Sequence, residues 1–204
     1  MAIAPTVTER GGETRRRILE VAAEAFSERG YAGTSLSDVL KASGLTKGGF
    51  YFHFPSKEAL ALATLRHKQE QWAAAVMAAV LRHPRAVDQL DAMVDALCDL
   101  HEQDPACRCI GRLCTELVDA HPELRPQLAP QITGWVDLVA SLVRRGQDEG
   151  DFRPEVEPSV VAEVAVQSFI GIETVSELVT GRADLRRRAQ DFRNLFLDAI
   201  RRPS

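Results

Sequence analysis

Apolar residues recur at helical spacing along most of the chain, and proline, glycine and aspartate separate the periodic stretches. Beyond Pro84 these stretches are 86–103, 106–118, 122–150, 158–180 and 184–202. None of them shows the strict alternation of apolar and polar residues that is typical of a half-buried strand. The pattern therefore predicts an all-α fold whose C-terminal part is a helical bundle.

The N-terminal part of the chain predicts a small three-helix domain. The first helix carries Ile18, Ala22 and Phe26 on one face and ends near Gly30. This apolar face indicates a helix that packs against its neighbours. Residues 1–12 contain no periodic pattern, so we expect a flexible arm there.

Two short helices joined by a tight turn follow the first helix. Ser35 with Asp38 three positions later resembles a capping box at the start of one helix, and Gly44 suits its end. Thr46 can then cap a second short helix that runs through Phe52. This arrangement predicts helix-turn-helix geometry, in which the second helix sits in the major groove of DNA.

Aromatic residues are concentrated at the end of this second helix. Phe50, Phe52 and Phe54 are large apolar side chains within five residues, and we expect them to form an aromatic core. Tyr51 and His53 lie between them and carry hydrogen-bonding groups that suit phosphate oxygens. The stretch therefore combines a packing role with a candidate DNA contact.

The segment RRRILEVAAEAFSERGYAGTSLSDVLKASGLTKGGFYFHFPSKEALALATL resembles the N-terminal DNA-binding domain of TetR-family transcriptional regulators. The resemblance implies a regulator that binds a near-palindromic operator in double-stranded DNA as a homodimer. The positions that match the family's DNA-contact pattern are Thr34, Thr46, Lys47, Gly48, Tyr51, His53 and Lys57.

The chain divides into a DNA-binding domain over 13–56 and a ligand-binding and dimerisation domain over 57–204. A helical pattern runs from Ser56 until Pro84, so no flexible linker separates the two domains. A continuous helix offers a physical route by which a change at a ligand site could reach the DNA.

The last two predicted helices carry apolar stripes that suit either a dimer surface or the core of the subunit. The TetR resemblance favours a twofold dimer in which both helices of each subunit form the interface. The residues that we expect at this interface are Val164, Ile172, Val175, Phe192 and Phe196.

Three C-terminal segments, PACRCIGRL, the stretch ending QITGWVDLV, and SFIGIETVSELVTGRADL, resemble the ligand domain of gamma-butyrolactone autoregulator receptors. This TetR branch represses secondary-metabolite genes until a small lactone binds. The resemblance places Trp135 across the ligand, whereas periodicity alone also allows it to be a core residue. A repressor that responds to drugs or other xenobiotics is the alternative.

Charge and composition are compatible with a cytoplasmic DNA-binding protein. The net charge is −4, but residues 1–60 hold eight basic and seven acidic residues against 17 and 22 in the remainder. The N-terminus lacks the pattern of a signal peptide, and we find no apolar run near the roughly 18 residues that span a bilayer. We therefore expect a cytoplasmic protein without a membrane partner.

The four cysteines raise the alternative of a thiol-based redox sensor or a metal site. They are Cys98, Cys107, Cys109 and Cys114, and their spacing contains no C-x-x-C pair. Buried thiols that act as small apolar side chains explain them more simply. The chain also lacks a nucleophile elbow, a phosphate loop and an H-E-x-x-H motif, so no catalytic residue, metal or cofactor is expected.

Overall fold

The computed structural model describes residues 7–104, 106 and 109–203, and helices make up most of this part of the chain. They are α1 (Val7–Gly33), α2 (Leu36–Ser43), α3 (Lys47–His53), α4 (Lys57–Val80), α5 (Ala86–Gln103), α6 (Cys109–Ala120), α7 (Arg125–Asp148), α8 (Pro158–Thr180) and α9 (Leu185–Ile200). Between these described residues the one extended pairing is an isolated bridge that joins Phe152 to Arg201. The predicted all-α class is confirmed.

The chain forms two compact units, and α4 contributes to both. Residues 1–71 and 104–125 make up the first unit, and residues 72–103 and 126–204 make up the second. The predicted division at residue 56 assigned all later residues to the second domain. Instead, α6 groups with the first unit, where it packs against α1.

The helix-turn-helix motif begins and ends close to where the sequence predicts. Ser35 and Asp38 form a reciprocal capping box at the start of α2, and Gly44 adopts the left-handed conformation, with φ of 68°, at its end. A left-handed residue satisfies the last carbonyl groups of a helix, and glycine adopts that conformation without a steric penalty. The turn between α2 and α3 therefore follows directly from local sequence.

The first helix differs from prediction at both ends. It already includes residues 7–12, where we expected an arm, and no proline interrupts its backbone hydrogen bonding there. Near its other end, Gly30 has φ of 72° and ψ of 177°, which kinks the helix before Tyr31. The kink leaves backbone N–H groups without partners inside the helix. A side chain from α6 accepts hydrogen bonds from these groups.

A buried ion-pair network fixes α1 against the first part of α4. Lys68 is 3% exposed, and its Nζ donates to Glu20 at 2.5 Å and to Asp104 at 3.0 Å. His67 and Gln71 also contact the Glu20 carboxylate, at 2.7 and 2.9 Å. Burial raises the pKa of Glu20, but the hydrogen bonds outweigh burial and lower it to about 2.

We expect Glu20→Gln to lower the free energy of unfolding at pH 7 by roughly 2 kcal/mol, because the buried Lys68 loses an ionised partner. Glu20 has its ordinary pKa of 4.5 when unfolded and about 2 when folded. Its contribution is therefore complete above pH 4.5 and disappears as the pH falls through 2. Urea unfolding at pH 7 and pH 3 should show a smaller difference between variant and wild type at pH 3.

Glu24→Gln supplies the matched control, since Glu24 lies one turn further along α1 and is exposed. The control should change the free energy of unfolding little at either pH. An equal loss for Glu20→Gln at both pH values would contradict the assigned role of the Glu20 carboxylate.

The second unit has an apolar core with an ionic edge. Leu97 of α5, Val143 of α7 and Leu197 of α9 are buried in it. Arg186 of α9 contacts the carboxylates of Asp99 and Glu102 on α5, at 2.6 and 2.7 Å. Apolar contacts and this ionic edge together hold α9 in register with α5.

Candidate functional site

The first residues of α3 are presented to solvent by the motif that holds them. Thr46 caps the helix, and its Oγ1 accepts a hydrogen bond from the Gly49 N–H at 3.3 Å. Thr46, Lys47 and Gly48 are all exposed. A cation and free backbone groups at the start of a recognition helix suit contacts to base edges or phosphates.

Two phenylalanines anchor α3 to the first unit. Phe50 and Phe54 are buried, and their ring centroids lie 5.9 Å apart. Tyr51 is 42% exposed and contacts the edge of Phe50, with a centroid distance of 5.7 Å. The two buried rings fix the orientation of α3. The Tyr51 ring, which packs against Phe50, is held in place with it.

Phe52 does not belong to the aromatic core in which we expected it. Its side chain is 85% exposed, whereas Phe50 and Phe54 are buried as predicted. The reason is helical geometry: residues two positions apart on an α-helix point about 200° apart, so Phe52 faces away from Phe50. The structure thus adds an apolar residue to the exposed face of α3.

Thr34 is the one predicted DNA contact whose side chain is fully buried. Its hydroxyl donates to the carbonyl oxygens of Ala25 at 3.0 Å and Gly30 at 2.8 Å. These bonds secure the end of α1, so the structure supports a positioning role for the Thr34 side chain. The resemblance matches residue types and gives no information on the direction of a side chain. It therefore could not show that the Thr34 hydroxyl is buried.

His53 and Lys57 lie at the C-terminal end of α3 and the start of α4, and both are half-buried. The Lys57 ammonium sits over the Tyr31 ring, with Nζ 4.3 Å from the centroid. A cation held on an aromatic face is oriented while its charge stays available to a phosphate. Tyr31 therefore supports a predicted contact residue.

Sequence reasoning missed a polar cluster that links α6 to the end of α1. Glu116 accepts from the backbone N–H groups of Tyr31 and Ala32, the second at 3.3 Å. Burial raises the pKa of Glu116, but Arg112 and these N–H groups lower it overall. The Tyr31 hydroxyl donates to Glu58 at 3.0 Å. These contacts span up to 85 positions, so no local signal could have revealed them.

Trp135 lies half-buried on α7 of the second unit. A cavity of about 410 Å³ elsewhere in this unit is lined by Val87, Gly150, Asp151, Arg201, Arg202 and Pro203, and Trp135 is not part of it. The indole is therefore accessible in part, as a ligand contact requires, but its role as one remains a prediction.

A polar group lies among aromatic rings elsewhere in the second unit. His101 is buried, and its Nδ1 donates to the Leu97 carbonyl oxygen at 2.7 Å, while Nε2 faces the Glu173 carboxylate. The rings of Trp72 and Phe169 lie 4.9 and 6.0 Å from the imidazole. The His101–Glu173 pair is thus a buried polar contact packed among aromatic rings of the second unit.

The described thiols are poorly suited to redox chemistry. Burial raises the pKa of both Cys98 and Cys114 to about 11, so the reactive thiolate is disfavoured. Cys107 and the side chain of Cys109 lie outside the described residues. Within the part of the chain that is described, no group of three or more His, Cys, Asp and Glu side chains is arranged to hold a metal.

The predicted dimer surface carries a large apolar face on α8. Five of its exposed apolar residues fall on one side of the helix: Val160, Val164, Val175, Leu178 and Val179. Ile172 of α8 and the α9 residues Phe192 and Phe196 are half-buried.

The sequence led us to expect no apolar run near the length of a membrane span, and α8 contradicts that expectation. This helix contains an 18-residue window with mean hydropathy 1.2, of which only 17% is buried, so by length and composition it could cross a membrane. An exposed apolar face of this kind otherwise marks a surface that another protein covers.

Comparisons with known proteins agree with this architecture. A family model described as bacterial regulatory proteins, tetR family, matches residues 18–64, and one described as tetracyclin repressor-like, C-terminal domain, matches residues 86–192. The A-factor receptor protein of Streptomyces griseus is 32% identical over 200 residues, which cover 95% of this chain and 66% of the receptor.

Solved structures show the same similarity. One, described as the molecular basis for control of antibiotic production by bacterial hormones, has a TM-score of 0.78 and 30% identity, covering 93% of this chain and 98% of its own. CprB, a TetR family protein from Streptomyces coelicolor A3(2), has a TM-score of 0.76 and 28% identity, covering 96% and 92%.

Proposed function

The chain belongs to the TetR family of DNA-binding transcriptional regulators, and from this premise we propose a repressor that a gamma-butyrolactone-type inducer releases from its operator. The exposed start of α3 is the observation that carries the DNA-binding part of the proposal. We place the protein in the cytoplasm, where operator DNA is accessible. Its family and relatives are regulators rather than enzymes, and we assign it no catalytic step.

The proposed DNA contacts are Thr46, Lys47, Gly48, Tyr51, His53 and Lys57, with Thr34 holding the end of α1 in place. Lys47 and Lys57 supply positive charge, and the Tyr51 and His53 side chains supply hydrogen bonds to phosphates. Two copies of this surface in a dimer face half-sites about 34–36 Å apart. DNase footprinting of the DNA that flanks the gene should therefore reveal one near-palindromic protected site.

Release from the operator follows from a difference in the inducer's affinity for two conformations of the protein. The inducer binds better to a conformation in which the two recognition helices are wrongly spaced for the operator, and this lowers operator affinity by the same coupling free energy. A coupling of about 3 kcal/mol changes affinity roughly 150-fold. Because α4 is continuous from the first unit into the second, it is the element that carries the change.

Trp135→Ala is expected to keep operator binding but to raise the inducer concentration needed for release by about tenfold or more. The substitution removes a large apolar contact from the ligand while leaving the first unit untouched. A mobility-shift titration with a synthetic gamma-butyrolactone measures the change. Trp72→Phe tests the second tryptophan, and unchanged release by Trp135→Ala would return Trp135 to a packing role.

Glu173 favours a second candidate, a repressor that responds to xenobiotics. The Glu173 carboxylate contacts His101, whose ring lies beside Trp72 and Phe169. A carboxylate near aromatic rings suits a cationic aromatic compound that replaces this histidine contact. This alternative predicts release by chemically diverse aromatic cations and no preference for lactones. A panel of both classes in the same mobility-shift assay separates the two functions.

A further inference from the structure

Phe52 and Gly48 form one exposed strip on α3. Residues four positions apart lie on the same face of a helix, and a helical side chain leans toward the preceding turn. Phe52 therefore lies one turn after Gly48 on the same face of α3, and Gly48 has no side chain. A Cβ added at Gly48 would meet nothing within 4 Å, so the space above this position is open. This strip thus combines an exposed aromatic ring with open space one turn before it.

The exposure of Phe52 has no explanation in the packing of the first unit. The contact described for its ring is with the neighbouring His53, at a centroid distance of 5.2 Å. Phe50 and Phe54 already fill the inward face of α3. Leaving a phenylalanine in water forgoes the stabilisation that burial would give, so its presence on this face favours a partner that covers it.

The position of the strip identifies that partner. It adjoins Lys47 and Tyr51, on the helix that the proposed function places in the major groove. The major groove displays hydrogen-bonding groups throughout and one apolar group, the C5-methyl of thymine. The charged phosphate oxygens offer an aromatic ring no apolar contact. The fit between an apolar ring and this methyl group is specific to one base.

We propose that Phe52 reads thymine in each operator half-site by packing its ring against the C5-methyl group, with Gly48 leaving space for that base to approach. This inference rests on the proposed function, because it requires α3 to bind in the major groove. It adds direct base readout to a surface whose other predicted members are polar. In a dimer, one thymine in each half-site is read.

A double-mutant cycle between protein and DNA tests the contact. The probe is the footprinted duplex, in which each thymine of both half-sites is replaced in turn by deoxyuridine, which lacks the methyl group. At one symmetric pair of positions we expect wild-type affinity to fall about fourfold per methyl group, equivalent to about 0.8 kcal/mol. Phe52→Ala should bind the thymine and uracil duplexes equally at that position.

Control variants separate base readout from folding. Leu81→Ala removes another exposed apolar side chain, and its affinity should respond to uracil as the wild type does. Gly48→Ala should stabilise the protein, because alanine favours the helix and meets no neighbour, yet it should weaken operator binding. Thermal unfolding measured beside operator affinity shows both effects.

Two results would overturn the proposal. One is additive losses from Phe52→Ala and uracil at every thymine, and the other is full operator affinity of Phe52→Ala. Both require a wild type that binds its operator. A wild type that binds no DNA would instead contradict the proposed function itself.

Discussion

Val175→Arg is expected to convert the proposed dimer into a monomer and to lower operator affinity by at least about a hundredfold. Val175 is 44% exposed on the apolar face of α8, where we place the partner subunit. A twofold interface contains the substitution twice, and each desolvated, unpaired charge costs several kcal/mol. Light scattering after size-exclusion chromatography measures the mass, and fluorescence anisotropy with operator DNA measures the affinity.

The matched control is Glu163→Arg, which introduces arginine at an exposed polar position of the same helix, outside the apolar face. It should remain dimeric and bind operator normally. A dimeric Val175→Arg variant would contradict the assignment of α8, and with it the roles proposed for Val164 and Ile172. Persistence of the dimer in Phe192→Ala and Phe196→Ala would limit the interface to α8.

Lys47→Ala is expected to weaken operator binding by about tenfold or more while leaving the dimer intact. The Lys47 side chain is exposed in the first turn of α3, so its removal costs the fold little. A lysine that contacts a base supplies about 1–3 kcal/mol of discrimination, whereas one that contacts a phosphate supplies salt-dependent affinity. Operator affinity measured over a range of salt concentrations separates these cases.

A phosphate contact predicts a salt dependence reduced by about one unit of slope for each subunit, with equal loss on operator and random DNA. A base contact predicts loss on the operator alone. Lys41→Ala is the control, since Lys41 is an exposed lysine on α2 outside the proposed surface. Equal affinities of Lys47→Ala and wild type would contradict the proposed contact surface, and Tyr51→Phe tests its neighbour in the same assay.

Local sequence determined much of the first unit. Ser35 with Asp38 and Gly44 fix the start and end of α2 through backbone hydrogen bonds that need no distant partner. The same kind of information located Thr46 at the start of α3. Helix periodicity likewise predicted α5 and α8 with the bounds that the structure shows.

Sequence reasoning failed where the answer depended on direction or on distant residues. Three phenylalanines at alternate positions suggested one core, yet a helix turns Phe52 to the opposite side from Phe50. The resemblance matched Thr34 to a DNA contact without giving the direction of its hydroxyl, which bonds to Gly30, and the contact itself stays a prediction. The contact from Glu116 to the end of α1 depends on tertiary packing of α6, which periodicity does not encode.

We propose that a small molecule releases this protein from a specific operator. The most direct test is a mobility-shift assay on the DNA that flanks its gene, with excess random competitor DNA, with and without a gamma-butyrolactone. We predict one retarded complex that survives the competitor and disappears as the lactone is added. A complex that random DNA removes would contradict binding to a specific operator, and one that neither lactones nor aromatic cations dissociate would contradict release by a small molecule.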